Sequence, residues 1–136
     1  MSSSRVKWLI IDDLFISFAT NGTVEDKEWG LFLEDLQSKP VKRYLAVSVG
    51  TLQLTSLQRK QVAEVVTRRS IPIAAVTDER LVRGVVTAIS WLGANIKAFS
   101  WAEMQDALVY LGLRPSIAAQ VTGAVLKIKS ELLAPR

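Results

Sequence analysis

Hydrophobic and polar positions along this chain follow two alternating rhythms. Val6 to Ile11 and Leu14 to Thr20 are apolar runs rich in β-branched and aromatic residues, separated only by Asp12-Asp13. Two such runs around a two-residue polar break predict a β-hairpin, and Asn21-Gly22 ends its second strand. Trp29, Phe32, Leu33 and Leu36 then recur at i, i+3, i+4 and i+7, which is one buried face of a helix. Thr23 stands where an N-cap is expected, with Asp26 at the third helical position, and Lys39-Pro40 stops the helix. Tyr44 to Val49 predicts the next strand, closed by Gly50. Thr55-Ser56-Leu57-Gln58 has the spacing of a capping box. It opens a second helix running to about Arg69, with Leu57, Val62, Val65 and Val66 facing inward.

Ile71 to Thr77 reads as a short strand with Pro72 near its beginning. Asp78 is the expected cap of a third helix, Glu79 to Leu92, with Leu81, Val82, Val85, Ile89 and Leu92 inward and Gly93 at C′. Asn95 to Phe99 predicts the last strand, and Ser100-Trp101-Ala102-Glu103 is another capping box, leading a helix through Leu111. Pro115 suits the first turn of a final helix reaching about Leu132. The order is β-β-α-β-α-β-α-β-α with an extra C-terminal helix. That order predicts an α/β fold on a mixed, mostly parallel sheet with one antiparallel pair. No internal repeat and no low-complexity linker interrupts it.

Composition narrows the chemistry. A chain of 136 residues with 49% apolar and 22% charged residues is one globular domain. Absence of cysteine and histidine excludes disulfides, thiolate nucleophiles, Cys/His zinc sites and Ser-His-Asp triads from this chain. Asp78, Glu79 and Lys97 would have to supply any catalysis, so the expectation is a non-enzyme without metal or cofactor. The net charge of +4 carries no basic run longer than two residues, which speaks against a nucleic-acid partner. Apolar stretches break well before the ~18 residues of a membrane span. A soluble, cytoplasmic protein with a disordered start at residues 1–4 is expected.

Asp12-Asp13 reads as a turn rather than a metal site, because no third carboxylate is near in sequence. Asp78-Glu79, at a strand's C-terminal end, fits either a sheet crevice or a helix start. Trp8, Trp29, Trp91 and Trp101 are expected in the core or an interface, and Gly22, Gly50 and Gly93 are too isolated to cradle a phosphate. Ile117, Val121, Ala124, Ile128 and Leu132 form a continuous helical stripe, widened by Ala118, Val125 and Leu133. It must be buried on its own sheet, against a partner helix, or across a homodimer. The homodimer is preferred, since the β/α order is already complete by Leu113.

The element order from Arg5 to Leu113 resembles the STAS domain of bacterial anti-sigma-factor antagonists. Ile73-Ala74-Ala75-Val76-Thr77-Asp78 and the closing Ala98-Phe99-Ser100-Trp101-Ala102-Glu103 with Ala107-Leu108 carry the likeness. A response-regulator receiver shares the acidic pair, but here a second strand follows it and Tyr44 to Gly50 offers no acceptor carboxylate. The resemblance implies a STAS-like domain over 5–113 and a helical extension over 114–136. It also implies a regulatory or scaffold module that binds a protein through its second-helix surface. The family's regulatory Asp-Ser-Ser-Gly stretch corresponds here to Thr55-Ser56-Leu57-Gln58, so only Ser56 matches. Ser56 is the candidate phosphosite, although a plain capping box accounts for the same residues. Ser56, Arg59, Lys60, Arg68 and Arg69 are the candidate partner-binding residues. The alternative is a STAS-like protein holding a small apolar ligand or lipid.

Overall fold

Residues 5–133 are described by the computed structural model. The expected disordered start, 1–4, and the tail 134–136 lie outside them. The hairpin forms at the expected place: β1 (Val6–Ile11) and β2 (Leu14–Ala19) pair antiparallel, with Ile11 opposite Leu14. Then follow β3 (Gly22–Thr23), α1 (Asp26–Ser38), β4 (Arg43–Ser48), β5 (Leu52–Gln53) and α2 (Ser56–Arg68). The chain continues through β6 (Ile73–Val76), α3 (Arg80–Trp91) and β7 (Ile96–Phe99). A single 3₁₀ turn (Trp101–Glu103), α4 (Met104–Tyr110) and α5 (Pro115–Leu133) complete it. The main sheet has the order β1-β2-β4-β6-β7, parallel from β2 onward, and β3 pairs with β5 in a separate two-stranded ribbon. Among the described residues, no helix is long and apolar enough to cross a membrane.

Each parallel crossover steps one strand further in the same direction. Because such crossovers share one hand, the helices between them fall on one face. α1, α2 and α3 therefore cover the Phe15, Ala19, Tyr44 and Ile73 side of the sheet. The opposite side, carrying Leu14, Ile16, Phe18, Leu45, Val47 and Val76, is covered by α4 and α5. All six residues of β2 are buried, as a strand covered on both faces requires. Val121 and Val125 of α5 are fully buried there, and Ile117, Ala118, Ile128 and Leu132 lie against the same cluster. Val121 and Val125 are thus buried against the chain's own sheet, the rest of the stripe is half-buried, and Leu133 is exposed because it lies at the end of the helix.

Local chemistry sets the boundaries. Thr55 accepts the Gln58 N–H and Gln58 Oε1 accepts the Thr55 N–H, both at 3.0 Å, closing the expected capping box. Ser100 N donates to Glu103 Oε1 at 2.8 Å in the second one. Hydrogen bonding from Ser100 holds the Glu103 carboxyl below its usual range. Thr23 does not cap α1: extended pairing of Gly22–Thr23 with Leu52–Gln53 delays the helix, and Glu25 becomes the N-cap. Nor does Asp78 cap α3, whose N-cap is Glu79; the Asp78 carboxylate accepts the Trp101 N–H at 3.0 Å instead.

Three inward assignments also change. Leu57 is 62% exposed because the first turn of α2 is oriented by Gln58, which is buried and donates to the Val24 carbonyl at 2.8 Å. On α3 the buried row is Val82, Val86 and Ile89, which leaves Leu81 and Leu92 exposed. The acidic pair at the hairpin turn is ion-paired. Asp13 meets Arg43 at 2.7 Å, its carbonyl accepts the Lys42 and Arg43 N–H groups, and Asp12 reaches Arg114 at 3.8 Å. It fastens the turn to the entrances of β4 and α5.

Candidate functional site

A row of small side chains crosses the sheet on the face under α1–α3. Ser17 of β2 pairs with Ala46 of β4, Ala46 with Ala75 of β6, and Ala75 with Ala98 of β7. Side chains alternate between faces along a strand, so these four share one face and one register line. Larger side chains from the helices bridge over the row without filling it. Trp29 and Phe32 come from α1, Val62 from α2, and Val82, Val86 and Ile89 from α3. The space left is a cavity of about 80 Å³, edged by Leu52, Leu54, Val85 and Ile96. Ala46 is only half-buried although β4 is the central strand, because it faces this space.

The cavity wall is apolar but for a few groups. Ser17 Oγ and Tyr44 Oη share a hydrogen bond of 2.7 Å on its floor. Burial pushes the Tyr44 phenol far above its usual pKa, so it is neutral throughout the physiological range. Thr77 Oγ1 accepts the Glu79 N–H at 3.0 Å and lines the carboxyl end with Ser48. Trp29 is 5% exposed, stacks on Phe32 at 4.8 Å between centroids, and its Nε1–H has no hydrogen-bond partner among the described residues. A buried donor without an acceptor is rare in folded proteins.

Ser48 also borders an open groove at the carboxyl ends of the parallel strands, where Asn21, Gly50, Asp78, Glu79 and Lys129 meet. Ligands of open α/β sheets commonly bind at such ends. Much of its polar lining is already committed. Asn21 Oδ1 accepts the Thr51 N–H at 2.7 Å, Asp78 holds Trp101, and Lys129 lies 4.0 Å over the Trp101 ring.

The five partner residues expected on the second helix separate into two groups. Arg59 donates to the Leu54 carbonyl at 2.7 Å and to Ser56 Oγ at 3.1 Å, at the start of α2. Arg69, beyond its end, donates to the Leu36 carbonyl at 2.7 Å, and Arg68 reaches Gln37 at 3.3 Å. Lys60 is exposed. Nine residues of helix hold the two groups roughly 13 Å apart. Trp29 lies in the core, Trp8 and Trp101 are half-buried, and Trp91 is 82% exposed on α3. The cavity was not read from the sequence. Its one visible sign is a small residue in the middle of successive predicted strands, and its meaning depends on the register that aligns them. No family model matches the chain, and no curated protein matches it.

Proposed function

We propose that the protein is a non-catalytic binding module that holds a small apolar ligand between its sheet and α1–α3. The observation that carries this is Trp29, which lines an apolar cavity and whose buried indole N–H has no partner among the described residues. An occupant that accepts from this N–H removes the desolvation penalty of an unmade hydrogen bond. A cavity of about 80 Å³ suits an occupant of a few heavy atoms; benzene fills one of about 150 Å³ in an engineered core. Larger ligands would need α3 to move away from the sheet. We read the module as STAS-like, on the support of the hairpin-first element order and the Phe99-to-Glu103 closing stretch.

The experiment compares the wild type with Ala46→Val, which adds two carbons to the cavity floor. Titration with 2-methylpropane, followed on the methyl NMR signals of Val82 and Val86, should give saturable shifts in the wild type and none in the variant. The variant should melt at the same temperature or higher. Equal shifts in both proteins, or none in either, would refute the cavity as a ligand site.

A second reading is protein binding at the start of α2. It is favoured by Leu57, which is exposed beside Ser56 and Lys60. A Leu57→Asp/Lys60→Glu variant that captures the same proteins as the wild type would exclude it.

A further inference from the structure

The four indole N–H groups of this chain have different fates. Trp8 Nε1 donates to Asp35 Oδ2 at 2.8 Å and Trp101 Nε1 to the Ser48 carbonyl at 2.9 Å. Trp91 is 82% exposed on the surface of α3. Trp29 alone is buried and unpaired. The other polar groups of the cavity do not supply the missing acceptor. Ser17 and Tyr44 hydrogen-bond each other, the Ser48 carbonyl accepts from Trp101 and Thr77 Oγ1 from the Glu79 N–H, and none of these oxygens receives the Trp29 N–H. The indole N–H is therefore the donor that the cavity leaves unmet. Its lining also contains no Lys, Arg, Asp or Glu, so a charged head group would lose its hydration there without a counter-ion.

We propose that the ligand is an uncharged small molecule with a hydrogen-bond acceptor, a carbonyl or ether oxygen, that receives the Trp29 indole N–H. This rests on the cavity's being a ligand site. A pure hydrocarbon would fill the space but leave the donor unmade. A carboxylate would satisfy the donor but bring an uncompensated charge.

Three probes of four heavy atoms each separate these cases: acetone, 2-methylpropane, in which a methyl replaces the oxygen, and acetate. Each is titrated into ¹³C,¹⁵N-labelled protein, and the Trp29 indole signal is identified by its loss in Trp29→Phe. Both neutral probes should shift the Val82 and Val86 methyls, and only acetone should move the Trp29 indole proton downfield. In Trp29→Phe the ratio of ketone to hydrocarbon affinity should fall about fivefold, the worth of one net hydrogen bond. If the variant fails to fold, the indole signal is assigned by its NOEs to the Phe32 ring, and its shift in the wild type decides.

If both neutral probes bind but the indole proton stays still, the acceptor proposal fails while the cavity survives as an apolar site. The proposal fails in the same way if that proton reports a long-lived water that acetone does not displace. Acetate binding as tightly as the ketone would overturn the requirement for neutrality. If no probe moves the cavity methyls, the underlying reading of the cavity fails.

Discussion

Val121 and Val125 test whether α5 belongs to its own sheet. Both side chains are fully buried against the cluster that contains Leu14, Ile16 and Phe18. Replacing each with alanine removes two carbons, about 1.6 kcal/mol of transfer free energy at ~0.8 kcal/mol per methylene. A residual cavity adds to this, and the better helix propensity of alanine returns a few tenths. About 2 kcal/mol each is expected, and about 4 kcal/mol for Val121→Ala/Val125→Ala. For a chain of this size that lowers Tm by roughly 12 °C. Leu126→Ala on the same helix is the control: Leu126 is 53% exposed, and its loss should move Tm by a degree or two at most. Circular-dichroism melts at two protein concentrations a hundredfold apart are the assay. The deficit should be equal at both, because docking within one chain does not depend on concentration. A deficit that appears only at low concentration, with a dimer becoming a monomer in sedimentation equilibrium, would refute docking in cis. An unchanged Tm would show that these valines hold nothing.

Gly50 has φ of +106°, and an added Cβ would collide with Asn21 Oδ1, so Gly50→Ala should cost about 2 kcal/mol, read as a lower denaturation midpoint with unchanged slope. Part of the loss should return in Asn21→Ala/Gly50→Ala; no recovery would place the cost in the backbone alone. Gln58→Leu strands the buried Val24 carbonyl and opens the capping box, so a loss of about 3 kcal/mol in urea unfolding is expected. A loss under 1 kcal/mol would mean that water replaces the amide. Tyr44 has a raised pKa in the folded protein, so its contribution is complete below the ordinary phenol value of about 10 and declines as pH rises above it. Tyr44→Phe should flatten the alkaline slope of Tm, and an identical slope would sink the assignment.

Elements whose rules are local were legible in the sequence. Thr55-to-Gln58 and Ser100-to-Glu103 form capping boxes because three-residue spacing alone brings the groups together. Thr23 and Asp78 failed as caps because non-local partners, Gln53 for one and Trp101 for the other, claimed them. Leu81 and Leu92 were misplaced because apolar residues cover more of α3 than the sheet can bury, and periodicity does not fix the rotation. The cavity was invisible for a related reason. Ser17, Ala46 and Ala75 become one row only after three strands are set in register. The orphaned Trp29 donor is likewise a property of what fails to surround it.

The position of α5 has a consequence for how the chain is made. Every strand precedes it, so the sheet face bearing Ile16, Phe18, Leu45 and Val47 emerges from the ribosome before its cover is complete. At about 5–20 residues per second, the segment Pro115–Leu133 takes roughly one to four seconds to synthesise, and then still has to clear the exit tunnel. During that interval the nascent sheet carries a greasy face that a ribosome-associated chaperone could shield, or that a neighbouring nascent chain could seize. Slowing translation within that segment should lengthen the interval and lower the soluble yield without altering a single residue of the finished protein.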